Sequence, residues 1–302
     1  GYTETQATNL IYKGGLQVYS TQDTSMQEIA DEAINNPSFY PSSTEFSINY
    51  ALSVKNADGK IINYSHSTMQ TWYQNVQGNY NFSLTQTNED TAQQYVDTYR
   101  EAMTANGETV VAESLHYVIQ PQLSFSLMDQ HTGYVKVLVG GRGEKSGNRT
   151  LNRATDSPRQ PGSSIKPISV YAPALENNLI TYGSVLKDEP LPNYFDDGSA
   201  GPNNFEGTFA GTVNVDQAIT ESLNAPVAQL INQMSPLVSY QFLTQNLHIT
   251  SLSEEDSYNV GGVAIGGLTN GISVREMTGA YQIFGNGGKY YTPYTVYRIE
   301  DN

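Results

Sequence analysis

Ser163 and Lys166, in the stretch RQPGSSIKPISVYAPALE (159–176), are the residues whose types and spacing could do chemistry. A serine hydroxyl is a weak nucleophile until a neighbouring base takes its proton, and a lysine that has lost its own proton is such a base. Three residues apart on a helix, the two side chains lie on one side. Pro161 and Gly162 break the chain just before them, and Pro167 is tolerated in a first turn. Ser163 is therefore expected at the N-terminal end of a helix, where N–H groups and the helix dipole favour negative charge. Ile165, Ile168, Ala172 and Leu175 share one helical face and predict a segment packed into a core. A lysine partly desolvated there gives up its proton more readily. Pro173 is expected to bend the helix or end it early. The plainer alternative is a helix start with a solvated lysine.

Spacing alone does not choose, because Ser184 and Lys187 repeat the Ser-x-x-Lys pattern with nothing around them to suggest chemistry. A second segment, TVNVDQAITESLNAPVAQLINQM (212–234), reads as a short helix, a break and a second helix. Asn214 and Gln217 resemble a capping pair, and Pro226 suits the first turn of the second helix. Ser222-Leu223-Asn224 then falls in a tight connection, where a hydroxyl and an amide can point into a cleft. Ser-x-Asn also occurs at Ser47–Asn49 and Ser257–Asn259, and helix capping is the simple explanation for all three.

The elements around these segments read as α+β. Residues 14–35 predict a strand and then a helix capped by Thr24 and Gln27, with Met26, Ile29, Ala30 and Ala33 on one face. INYALSVK and KIINYS flank the turn NADG as a hairpin. A helix over about 90–105 carries Ala92, Tyr95, Val96 and Tyr99 on one face and stops at Asn106-Gly107. A second hairpin spans 122–141 with its turn ending at Gly133, and a Gly/Arg/Asn-rich loop leads from it to Ser163. Residues 264–288 contain a helix with Ser273 and Glu276 as a capping box and Met277, Ala280, Tyr281 and Phe284 on one face. Trp72 is assigned to the core of the first part, and the tyrosines to core and rim packing.

Composition narrows the function classes. The chain has 302 residues, 30 acidic against 15 basic, for a net charge of −15. That balance argues against a nucleic-acid partner, which needs a basic stripe. No apolar run approaches the roughly 18 residues of a membrane span, and no signal segment opens the sequence. With no cysteine there is no disulfide, zinc-thiolate site or thiol nucleophile. His66, His116, His131 and His248 have no ligand spacing, so metal catalysis is not expected and no cofactor is implied.

With their flanks the two segments say more. QPGSSIKPISVYAPALE closely resembles the active-site serine segment of the penicillin-binding protein transpeptidase domain, as in the class A, bifunctional enzymes, and GTVNVDQAITESLNAP resembles its second motif. Their order and separation fit, and so do GGLQVYSTQDTSMQ (14–27), the 122–141 hairpin and residues 264–288. The resemblance implies helices packed on an antiparallel sheet, as in serine β-lactamases, with residues 1–118 a small α+β linker module and 119–302 the front part of the transpeptidase domain.

It further implies that Ser163 attacks the carbonyl between the terminal D-alanines of a peptidoglycan stem peptide, with Lys166 as base. Ser222 would pass the proton to the departing amine, Asn224 would hydrogen-bond the substrate backbone, and the Ser163 N–H would be one oxyanion donor. A β-lactam would be trapped on Ser163. The resemblance also implies a place on the extracellular face of a bacterial membrane, with the N-terminal anchor and an upstream glycosyltransferase domain outside this sequence.

One departure stands out. The family's third motif, Lys-Thr/Ser-Gly on a strand, does not follow the second. Lys145-Ser146-Gly147 fits the letters but precedes Ser163, and is read as a coincidence. The expectation is a chain that ends before the third-motif strand, with the C-terminal remainder as a partner. The alternatives on the same fold are a non-catalytic cell-wall scaffold, a β-lactam sensor or a β-lactamase. No local pattern supplies a deacylating glutamate, and Glu221 is read as a helix-end acid.

Overall fold

The computed structural model describes residues 2–42, 44–143, 145, 147, 150–195 and 197–301. Along the chain run α1 (Glu4–Lys13), β1 (Gln17–Ser20), α2 (Thr24–Asn35), β2 (Glu45–Lys55), β3 (Ile61–Ser65), α3 (His66–Asn75), β4 (Thr85–Gln86), α4 (Glu89–Met103) and β5 (Thr109–Gln120). There follow β6 (Phe125–Met128), β7 (Val135–Val139), α5 (Arg153–Asp156), a 3-10 turn (Gly162–Ile165), a π turn (Pro167–Tyr171), α6 (Ala172–Glu176), β8 (Val185–Asp188) and β9 (Gly211–Asn214). The chain goes on through α7 (Val215–Thr220), α8 (Ala225–Met234), α9 (Pro236–Gln241), α10 (Val260–Ile265), α11 (Val274–Tyr281) and β10 (Val296–Glu300). The class is α+β with antiparallel ladders.

The chain divides into two compact units. One holds residues 31–123 and 141–150, the other residues 1–30, 124–140 and 151–302. By compactness, then, the first thirty residues group with the later part of the chain, where a boundary near 118 had been expected. They do so because β1 pairs with β10, from Gln17↔Glu300 to Tyr19↔Arg298.

In the first unit β2 pairs along its length with β5 and at its end with β3, as the NADG turn predicts, with Gly59 at φ +82°. Ile48, Tyr50, Leu52 and Val54 alternate on β2 and so face one way, onto Met69 and Tyr73 of α3 and Ala92, Val96 and Tyr99 of α4. Trp72 packs at the edge of this core, tilted against Tyr99 with ring centroids 5.5 Å apart.

In the second unit the predicted hairpin forms as β6 and β7, with Gly133 at φ +81°. Buried Thr21 joins the ladders. Its N–H donates to Thr295 O and its hydroxyl sits 2.7 Å from Val135 O and 3.1 Å from Tyr294 O. The main core is helical, built from the turns at 162–171 with α8, α10 and the residues that follow them.

Three local readings change. The cap of α2 is Asp23, whose carboxylate accepts from Met26 N at 3.1 Å, and Gln27 Oε1 instead accepts from Leu138 N. Its expected apolar face is open, with Met26 45% and Ile29 68% exposed, and Ile34 is the buried residue. The helix at Ser163 buries Ile165, Ile168, Val170, Tyr171 and Ala174, while Leu175 is exposed. Ala172 N bonds Pro167 O five residues back. That wider turn moves the buried face off the 3.6-residue spacing.

Candidate active site

Proline explains the π turn. Pro173 has no N–H to offer Ser169 O, and the buried Ser239 hydroxyl donates to that carbonyl instead, at 2.5 Å. The helix ends at Glu176, soon after Pro173. Ahead of it, Ser163 is exposed on the 3-10 turn, and its Oγ has no hydrogen-bond partner among the described residues. Lys166 closes the turn with its N–H on Ser163 O.

The turn is held from one side. Arg159 and Ile272 exchange backbone hydrogen bonds of 3.1 and 2.9 Å, the Gln160 amide donates to Leu268 O, and the Tyr281 hydroxyl donates to Ser164 O. Gly266, at φ +84°, ends α10, and a Cβ there would strike the Gly162 backbone. The helix of 264–288 starts with the predicted capping box of Ser273 and Glu276.

Lys166 is 2% exposed. Its Nζ lies 2.6 Å from both Ser222 O and Asn224 Oδ1, 3.1 Å from Ser222 Oγ and 3.3 Å from Leu223 O. Three of these oxygens only accept, whereas the Ser222 hydroxyl can also donate. A neutral amine can thus give its two hydrogens to Ser222 O and Asn224 Oδ1 and keep its lone pair for the hydroxyl. Among the described residues no carboxylate pairs with Lys166. Burial without a counter-ion lowers its pKa to about 8.

Ser222 reaches Nζ with two oxygens because its backbone is left-handed, φ +53°, after α7. A serine there stores roughly 1 kcal/mol of strain. Asn224 begins α8 but its side chain does not cap it, which separates it from Asn259 of the Ser257–Asn259 match. Its Oδ1 faces Lys166 and its Nδ2 donates to Asn203 O at 2.7 Å. Asn259 caps α10 by accepting from Gly262 N, as expected, whereas Ser47 and Asn49 lie on β2 and cap nothing. Lys187 of the decoy pattern is exposed on strand β8. Glu221 ends α7 and accepts from the Gln217 amide. Ser146 of the early Lys-Ser-Gly lies outside the described residues.

Behind Asn224 stand residues that the sequence reading missed. Asn204 Oδ1 accepts from Asn224 N at 2.7 Å, and its Nδ2 donates to both oxygens of Asp188, at 2.8 and 3.0 Å. No motif marks them, since they lie in a loop and at a strand end. Among the described residues, no three or more of His, Cys, Asp and Glu gather into a metal site.

The family model of the penicillin binding protein transpeptidase domain matches residues 123–302. The chain belongs to this family. Among curated relatives, penicillin-binding protein 1A of Clostridium acetobutylicum is 34% identical over 192 residues, covering 61% of this chain and 23% of the relative. Penicillin-binding protein 1F of Bacillus subtilis is 33% identical over 174 residues, covering 58% and 22%. The chain thus spans about a quarter of the length of the curated relatives it matches. Among solved structures, penicillin-binding protein 1A of Haemophilus influenzae aligns with a TM-score of 0.60 at 18% identity, covering 99% of this chain and 47% of that one. PonA1 of Mycobacterium tuberculosis, in complex with penicillin V, aligns at 0.59 and 19%, covering 99% and 58%. These likenesses establish the transpeptidase fold. Among the described residues no helix is long and apolar enough to cross a membrane.

Proposed function

We propose that the chain carries the acyl-enzyme machinery of a serine-type peptidoglycan DD-transpeptidase and is a portion of a bifunctional class A penicillin-binding protein. The observation that carries this reading is Lys166, a buried amine with a pKa of about 8, bonded to Ser222 and Asn224 and one turn from the exposed Ser163. Ser163 Oγ bonds the carbonyl carbon between two D-alanines while its proton passes to Lys166 Nζ. The C–N bond then breaks, and Ser222 hands that proton to the leaving D-alanine. An amine of a neighbouring stem peptide attacks the ester, forms the new amide and returns a proton to Ser163 Oγ. A well-placed base of this kind contributes about 10²–10⁴ in rate.

Asn224 binds the substrate backbone in this scheme. Its Nδ2 does so by exchanging Asn203 O for a substrate carbonyl. The Ser163 N–H, in the first turn of the helical run, serves as an oxyanion donor. Within the expected 1–118 module, residues 31–118 act as the linker, and the enzyme works on the extracellular face of a bacterial membrane, beside a glycosyltransferase domain. A β-lactam enters the same path, but its leaving nitrogen stays tethered, so the ester persists.

The test is intact-mass analysis of the full-length protein with benzylpenicillin, then peptide mapping. One penicilloyl adduct on Ser163, absent from Ser163→Ala, is the expected result. No adduct overturns the reading in favour of a scaffold, and an adduct hydrolysed within minutes favours a β-lactamase.

A further inference from the structure

Resting on that reading, we infer that Asp188 and Asn204 are positioning residues, a buried relay that fixes which way the Asn224 loop presents its oxygens to Lys166. Asp188 ends β8 and is wholly buried. Its carboxylate accepts from Ala210 N at 2.7 Å as well as from Asn204 Nδ2. Among the described residues it has no cationic partner. A buried charge is costly unless it is paired with a counter-ion as well as hydrogen-bonded, so the arrangement calls for a purpose beyond stability.

That purpose lies in the direction of the hydrogen bonds. An ionised carboxylate only accepts, and so does Thr208 O, the other partner of Asn204 Nδ2 at 3.0 Å. Two acceptors on one side force the Asn204 amide to put its NH₂ there and its oxygen on the other side. The oxygen then receives Asn224 N at 2.7 Å and Ala225 N at 3.4 Å, at the start of α8. One residue earlier, Asn203 O accepts from Asn224 Nδ2 and so turns Asn224 Oδ1 onto Nζ. The 203–204 pair therefore sets both the backbone and the side chain of Asn224. The amide orientations are assigned from this bonding pattern. Burial is the cause of the Lys166 shift, with no contribution from the Asp188 charge, so Asp188 works by orientation and not by charge.

An asparagine at 188 breaks the polarity at its source. If its oxygen keeps Ala210 N, its NH₂ faces the NH₂ of Asn204, which must turn and present hydrogens to Asn224 N. The loop then loosens and water reaches Lys166.

The experiment measures two quantities on the full-length protein as a function of pH. One is the rate constant for acylation by a fluorescent penicillin, per titrated active site. The other is the Lys166 titration by NMR of lysine-labelled protein, which needs no activity. In Asp188→Asn and Asn204→Ala the Lys166 midpoint is expected to rise by about one unit or more as water enters. Acylation per titrated site is expected to slow by about tenfold or more. Leu243→Ala, a core truncation in the same unit, lowers stability but leaves both readouts at wild-type values. Unchanged Lys166 midpoints in both relay variants overturn the relay. A wild-type protein with the low Lys166 midpoint that no penicillin acylates overturns the transpeptidase reading, and the NMR result still judges the relay.

Discussion

Lys166 is the residue on which pH acts. Burial lowers its pKa to about 8, so at neutral pH most molecules hold the proton, and the base form grows as pH rises. Acylation of Ser163 by penicillin is expected to increase through pH 8 and then level off, as read from rate constants between pH 6 and 10. Lys166→Arg keeps a long cation that does not deprotonate in this range. It should abolish the rise through pH 8 and lose about 10²–10⁴ in acylation rate where the wild type levels off, and less at pH 6. The same shift has a stability counterpart. Between pH 8 and 10.5 the unfolded chain holds a proton that the folded protein has released, so stability is highest above 10.5. It falls as pH drops to 8 and is constant below. The span is roughly 3 kcal/mol. Denaturant melts of wild type against Lys166→Met isolate it, because the variant lacks the titrating group. Their stability difference should change across that window and nowhere below it.

At the scale of elements, the run from Gly162 to Glu176 passes through 3-10, π and α turns, and Ser239 supplies the hydrogen bond that Pro173 cannot. Ser239→Ala leaves Ser169 O buried and unsatisfied, at a cost of about 1–3 kcal/mol. In a Pro173→Ala background the restored N–H can reach that carbonyl, so the same change should cost less. A double-mutant cycle in urea reads this coupling, and equal costs in both backgrounds would remove Ser239 from the account of the π turn. Gly266→Ala should destabilise the fold and, on the proposed function, slow acylation together, since the added carbon pushes on Gly162 beside Ser163. How much of this was legible follows from the range of each interaction. Ser163, Lys166, Ser222 and Asn224 could be picked out because short motifs with telling flanks hold them. The two hairpins and the Ser273 capping box could be read because their partners lie within a few residues. The π turn could not be read in full, because the hydrogen bond that replaces the one Pro173 cannot make comes from a serine on α9. Nor could Asp188 and Asn204, whose meaning depends on a loop folding back to α8. The exposed face of α2 misled because its spacing is amphipathic although Met26 and Ile29 lie open.

For the whole molecule, charge and core pull in opposite directions. The net charge is −15. The ion pairs among the described residues are Arg100 with Asp97 and Glu113, and Arg298 with Glu300, all on partly exposed side chains. Such pairs contribute about 0–1 kcal/mol each, too little to offset repulsion among thirty acids. Stability therefore rests on the two cores, one around Tyr50, Tyr73 and Tyr99 and the other around Ile168, Leu230 and Leu243. The repulsion is long-ranged at low salt, where the Debye length is about 30 Å at 0.01 M, and is largely screened at 0.15 M, where it is about 8 Å. Raising NaCl from 10 to 150 mM should thus raise the Tm of this chain by a few degrees, about what 1 kcal/mol is worth at this size. KCl should do the same, since screening depends on ionic strength and not on the ion. A Tm that falls with salt would mean that attractive pairs outweigh the excess of acid, and that the surface contributes to stability where the cores are here held to suffice.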